Sequence, residues 1–132
     1  MGSGKLLILV VDDEAHIQHV LSLKLRNAGY EVVTADNGEE GFDKAVEHKP
    51  VLVITDFQMP IVSGLQMCQQ LKQHEQTCDT QALMLTARGF SLSEDDLATT
   101  NIIEVLSKPF SPREILAKVE GLIQSVRTVS DQ

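Results

Sequence analysis

The sequence has no surplus of positive charge, no long apolar run, few cysteines and no secretory leader, and each lack removes a class of protein. With 19 Asp and Glu against 11 Lys and Arg, the formal charge is -8. Nucleic acid phosphates or an anionic membrane would therefore be repelled, and any DNA-binding output is expected to lie outside this chain. No apolar stretch approaches the ~20 residues that cross a bilayer, and a hydrophobic fraction of 42% is that of a soluble globular protein. Only Cys68 and Cys78 are present, without metal-type pairing. Two free thiols in a reducing, cytoplasmic setting are expected. Repeats and low-complexity segments are also missing.

What is present fits one compact domain, since 132 residues can bury a single core without disulfides or a structural metal. Met1-Gly2-Ser3-Gly4 reads as a cloning leader (1–4), 5–127 as the folded domain, and 128–132 as a polar tail or the start of a linker. Segments 6–11, 51–54 and 82–85 are short apolar runs rich in branched residues, as in central strands covered on both faces. Segments 30–35 and 102–107 carry Glu31, Thr34 and Glu104 and suit edge strands.

Helical spacing joins Ile17, Leu21, Leu25 and Ala28, and again Ile115, Val119, Leu122 and Val126. Asn37 with Glu40, Ser63 with Gln66, and Ser111 with Glu114 have capping-box spacing, the last with Pro112 at the first helical position. Ser91 with Glu94 suggests a further start, for a short fourth helix anchored by Leu92 and Leu97. Gly29 suits a left-handed cap, and Asn101 can fill that role before the fifth strand. Strict β/α alternation with short connections predicts an α/β, doubly wound (βα)5 sandwich of flavodoxin-like type. Its five-stranded parallel sheet would have order 2-1-3-4-5, with the ligand site beyond the carboxyl ends of the strands.

The residues at that edge carry the chemistry. Asp12 and Asp13 follow strand 1, Asp56 follows strand 3, Thr86 ends strand 4 and Lys108 follows strand 5. Two like charges at ~4 Å repel by about 4 kcal/mol at an effective dielectric near 20, so three converging carboxylates call for a cation. Three carboxylates, one Mg²⁺ and Lys108 sum to zero charge, and Mg²⁺ suits one or two carboxylates plus water and a phosphoryl oxygen. His16 and His19, three apart, have no third ligand nearby in sequence and read as solvated or facing a partner. His48 and His74 fall near helix ends, and Cys68 with Leu65 and Leu71 reads as helix packing.

The run Val11-Asp12-Asp13-Glu14, then Asp56 with Met59-Pro60 and Gly64, then Thr86-Ala87, then Lys108-Pro109-Phe110 resembles the receiver domains of two-component response regulators. The resemblance implies that Asp56 is the phosphoacceptor and that Asp13, Asp56 and the backbone carbonyl of Gln58 ligate Mg²⁺, with Asp12 helping through water. It implies that Thr86 and Lys108 hold the phosphoryl oxygens, and that the Lys108-Pro109 bond is cis. It further implies that Gln58 and Arg88 occupy positions that flank the path of a hydrolytic water. The implied partners are a sensor histidine kinase or phosphotransfer protein, met through the first helix and the loops around Asp56. A weak phosphorylation-dependent homodimer through helix 4, strand 5 and helix 5 is also implied. Such a domain catalyses only its own phosphorylation and dephosphorylation.

Val105 departs from the aromatic residue of many receivers, and Asn101-Ile102 from a common Gly-Ala. Two other readings remain open at this stage. One is a docking module of the same fold that is not phosphorylated. The other is a phosphatase of the haloacid dehalogenase type, which would need an acid where Gln58 stands.

Overall fold

A computed structural model describes residues 6–86 and 92–130, without the side chains of 125–130. Five strands alternate with five helices: β1 Leu7–Val11, α1 Ala15–Asn27, β2 Glu31–Ala35, α2 Gly38–His48, β3 Leu52–Asp56, α3 Gly64–Gln73, β4 Gln81–Thr86, α4 Glu94–Ala98, β5 Ile102–Ser107 and α5 Pro112–Ser130. All paired strands are parallel, in the order β2-β1-β3-β4-β5, as the alternation predicted. α5 continues through Ser130, into the segment read from sequence as a polar tail.

The strands divide their side chains between two cores because successive residues point to opposite faces. Ile8, Val10, Ile54, Leu83 and Leu85 pack with Leu21 and Leu25 of α1 and Ile115 and Val119 of α5. Leu9, Val11, Val53 and Met84 pack with Ala45 of α2 and Met67, Cys68 and Leu71 of α3. Each fully buried aliphatic side chain contributes roughly 1.5–3 kcal/mol before entropy is counted. β1, β3 and β4 are thus buried on both faces, whereas Glu31 and Ile103 on the outer strands are exposed.

Helix starts follow local chemistry. Ser63 and Gln66 form a reciprocal capping box at α3, and Ser111 Oγ accepts the Glu114 N–H at 3.1 Å ahead of α5. At α2, Asn37 accepts from the Glu40 N–H, but Glu40 Oε1 turns to the Asp36 N–H instead of closing the box. Gly29 takes the left-handed conformation after α1, with φ 103°.

Three expectations need correction. The fourth helix starts after Ser93, which forms a capping box with Asp96, not after Ser91, which lies outside the described residues. Leu97 is 40% exposed and anchors little, while Leu92 does pack on the α2/α3 core. Asn101 is not among the positive-φ residues; its amide instead donates to the Cys78 carbonyl, and its Oδ1 accepts from Lys72 Nζ at 2.9 Å. A left-handed cap does occur at Lys49, φ 50°, where no glycine marked it.

Gly64 is where the fold meets the site. Its N–H donates to the Phe57 carbonyl at 2.9 Å, and a Cβ there would run into the Asp56 carbonyl oxygen and reach within 3.0 Å of Thr55 Oγ1. Gly121, in α5, has open space around the same position. Gly64→Ala is therefore expected to cost on the order of 2–3 kcal/mol in urea unfolding through overpacking. Gly121→Ala should gain about 0.5–1 kcal/mol from helix propensity.

Candidate functional site

In a parallel sheet all carboxyl ends lie on one side, so the residues that end β1, β3, β4 and β5 converge. Asp56 is the last residue of β3 and Thr86 the last of β4. Asp12 and Asp13 directly follow β1, and Lys108 directly follows β5. The backbone pairing continues past the strand ends: Asp12 N–H donates to the Ala35 carbonyl at 3.1 Å, Phe57 N–H to Leu85 at 2.9 Å, and Lys108 N–H to Thr86 at 2.8 Å. The Lys108-Pro109 peptide bond is cis.

Oxygens from Asp12, Asp13 and Asp56 lie within 4.8 Å of one another, and this is the one His, Cys, Asp or Glu group of metal-binding geometry among the described residues. Asp12 and Asp56 are buried, whereas Asp13 is exposed. Lys108 Nζ sits 3.0 Å from Asp56 Oδ1 and 3.9 Å from Glu14 Oε1. A cleft of about 240 Å³ is lined by Asp13, Glu14, Asp56, Gln58 and Lys108. A larger cleft of about 560 Å³ between α1 and the start of α5, lined by His19, Leu23 and Pro112 among others, lacks such convergence of charge.

The electrostatics follow from burial. Burial pushes the Asp12 carboxyl up to about 6; the Glu14 N–H, 2.9 Å from Asp12 Oδ1, works against the shift and the Asp56 charge adds to it. Asp56 is also raised, first by burial, with the hydrogen bond and charge of Lys108 pulling it back. Burial alone would lower Lys108, but its hydrogen bond and attraction to Asp56 prevail and raise it. Two buried oxygens of the site, Asp12 Oδ2 and Thr86 Oγ1, have no hydrogen-bond partner among the described residues. Buried polar groups of this kind ordinarily meet a partner. A set of carboxylate oxygens with one unpaired and two raised in pKa fits a hard divalent cation.

The remaining sequence candidates separate cleanly. Gln58 is exposed and lines the cleft, and Arg88 lies outside the described residues. His16 and His19 are exposed on α1, His48 ends α2, and His74 caps α3 with its ring edge-on to Phe42. Cys68 is buried and its thiol is pushed up to about 12 by burial; Cys68 and Cys78 are both free. In sequence Glu14, which stands beside Lys108, has meaning only as part of a motif, and Gln18, which touches the Asp12 carbonyl, carried no sequence signal at all. Nor did Ile61, which is 72% exposed at φ 72° in the β3–α3 loop, a costly conformation for a β-branched residue.

Comparison with known proteins adds four matches. The family model described as "Response regulator receiver domain" matches residues 8–120. The chain is similar to the phosphate regulon transcriptional regulatory protein PhoB of Pseudomonas aeruginosa, 35% identical over 89% of this chain and 51% of that protein. It is also similar to the alkaline phosphatase synthesis transcriptional regulatory protein PhoP of Bacillus subtilis, 40% identical over 89% of this chain and 48% of that one. The chain thus spans about half the length of these relatives. Among solved structures, the chemotaxis response regulator CheY4 of Vibrio cholerae aligns with a TM-score of 0.80 at 30% identity, covering 88% of this chain and 97% of that one.

The raised Asp12 pKa yields a sign-defined prediction. Asp12 titrates at 3.8 ordinarily and at about 6 when folded, so the folded state holds the proton more tightly. That contribution to stability is complete below 3.8 and is lost as pH rises through about 6. In EDTA, Asp12→Asn should be more stable than wild type at pH 8 by on the order of 2 kcal/mol. The two unfolding midpoints should approach each other by pH 4.

Proposed function

This chain belongs to the response regulator receiver domain family, and on that premise we propose that Asp56 accepts a phosphoryl group in a Mg²⁺-dependent reaction. The protein is a receiver domain of two-component response regulators, and domains of this family are signalling switches. The observation that carries the residue assignment is the meeting of three carboxylates within 4.8 Å with Lys108 Nζ at 3.0 Å from Asp56. The receiver is proposed to span residues 5–127.

Asp13, Asp56 and the Gln58 carbonyl would hold the cation, with Asp12 acting through water. When bound, Mg²⁺ would supply the positive charge that lets an anionic donor approach an anionic pocket. An Asp56 carboxylate oxygen then attacks phosphorus, the bond from phosphorus to the donor nitrogen or oxygen breaks, and the leaving group keeps the electron pair. The product is an acyl phosphate. Lys108 Nζ would pass from Asp56 Oδ1 to a phosphoryl oxygen, and the buried Thr86 hydroxyl would donate to another. No general base is required, because the nucleophile is already an anion.

The proposed donor is a sensor histidine kinase or phosphotransfer protein bearing a phosphohistidine, docking on α1 and the loops around Asp56. The cleft beside His19 and Leu23 and the exposed Ile61 lie on those two elements. A phosphorylation-dependent homodimer would use α4, β5 and α5, where Leu97 and Ile103 are exposed. The transcriptional role in the relatives' names is not extended to this domain, whose charge of -8 disfavours contact with DNA. No helix among the described residues is long and apolar enough to cross a membrane; the free thiols of Cys68 and Cys78 support the proposed cytoplasmic setting. Gln58, where a dehalogenase-type phosphatase needs an acid, disfavours that alternative.

Incubation with acetyl phosphate and Mg²⁺ should add one phosphoryl group, seen by intact-mass measurement, to wild type and not to Asp56→Asn. Full labelling of Asp56→Asn would move the acceptor elsewhere. Gln58 and Arg88 set the second expectation, since long polar side chains over the acyl phosphate would occupy the space an attacking water needs. Gln58→Ala with Arg88→Ala should raise autodephosphorylation several-fold, on the order of 1 kcal/mol of barrier, at nearly unchanged Mg²⁺ affinity. Acid-quenched decay of phospho-Asp56 measures it, and an unchanged rate would remove both residues from this role.

A further inference from the structure

Gln18 sits early in α1, half-buried, and its side chain reaches back to the mouth of the sheet. Its Nε2 lies 2.6 Å from the Asp12 carbonyl oxygen, 3.1 Å from that of Ala35 and 2.7 Å from Asp36 Oδ1. An amide nitrogen has two hydrogens, so three acceptors at these distances share them and hold the side chain in one orientation. The acceptors belong to the ends of β1 and β2 and to the loop that follows β2. Asp36 is held in turn: its N–H donates to Glu40 Oε1 at 2.7 Å, Glu40 pairs with Lys44 at 3.3 Å, and Lys44 Nζ donates to the Thr34 carbonyl at 2.7 Å. A continuous set of contacts therefore runs from α2 to the Asp12 carbonyl.

The carbonyl it ends on matters because of Asp13. The Asp13 carboxylate is exposed and has no hydrogen-bond partner among the described residues. Repulsion from Asp12 and Asp56 favours its swinging outward, so its direction depends on the backbone that bears it. The peptide unit between Asp12 and Asp13 is the one whose oxygen Gln18 holds. The other ties on this turn, Asp12 N–H to Ala35 and Glu14 N–H to Asp12 Oδ1, leave that carbonyl untouched.

We infer that Gln18 is a positioning residue for the cation site: by holding the Asp12–Asp13 peptide plane, it keeps the Asp13 carboxylate aimed at Asp12 and Asp56. The inference rests on the phosphoacceptor reading, because it assigns Gln18 a role in the cation binding that reading requires. It differs from a purely structural role in predicting a loss of affinity in the folded protein. A water molecule can satisfy the freed carbonyls, but it cannot fix the peptide plane.

Mg²⁺ titration calorimetry on the full chain tests it, with the cation-free thermal midpoint recorded for each variant. Gln18→Met, of similar length and without a donor, should bind Mg²⁺ about tenfold more weakly, as loss of a group that orients a ligand commonly does. Gln18→Lys restores a donor and should recover most of the affinity. At the exposed Asp36, Asp36→Ala removes the outer anchor and should weaken binding more than Asp36→Asn, which keeps an acceptor; this pair carries the test on a folded chain if Gln18→Met does not fold. Wild-type affinity in Gln18→Met, a loss not recovered by Gln18→Lys, or equal effects at Asp36→Ala and Asp36→Asn would each overturn the inference alone. A wild-type chain that took up no Mg²⁺ would overturn the phosphoacceptor reading and this role with it.

Discussion

Like charges do not gather unless something holds them, and the repulsion among Asp12, Asp13 and Asp56 is the constraint around which this protein is arranged. At an effective dielectric near 20, carboxylates closer than 4.8 Å repel by roughly 3–4 kcal/mol per pair. Burial adds to that cost by raising Asp12 and Asp56. Lys108 offsets only one charge, at 3.0 Å from Asp56. The imbalance leaves the site short of positive charge, which is what the proposed divalent cation would make good.

Rigid elements hold the three acids. Asp56 ends a strand buried on both faces, whose neighbours in the sheet are β1 and β4. Its backbone carbonyl accepts the Thr55 hydroxyl at 2.9 Å and lies so near Gly64 that no side chain fits between them. Asp12 is fixed through its backbone N–H to Ala35 and through Gln18 on its carbonyl. Asp13 alone combines exposure with a carboxylate that has no hydrogen-bond partner among the described residues. Its position therefore depends most on what holds the turn behind it.

Local signals were legible where the decisive contact was also local. The Ser63–Gln66 box and the Ser111 cap join residues three apart, and spacing alone identifies them. The failures lie where two local solutions compete or a distant partner intervenes. Ser93 with Asp96 offered the same spacing as Ser91 with Glu94, and the structure uses the former. Glu40 left the Asn37 N–H for that of Asp36. Asn101 could tolerate a left-handed conformation, but it finds its partners in Cys78 and Lys72, more than twenty residues away in sequence.

By itself the sequence determined the β/α alternation, the sheet order through its apolar centres and polar edges, and the set Asp12, Asp13, Asp56, Thr86 and Lys108 on one edge. Those properties follow from periodicity and from the rule that parallel strands end on the same side, which needs no coordinates. Tertiary structure alone decided which oxygens stay unpaired, how far Asp12 is raised, that Glu14 stands within 3.9 Å of Lys108, and that Gln18 spans the ends of two strands and the loop after β2. Burial and hydrogen bonding depend on distances between segments remote in sequence. Those distances exist only once both faces of the sheet are packed.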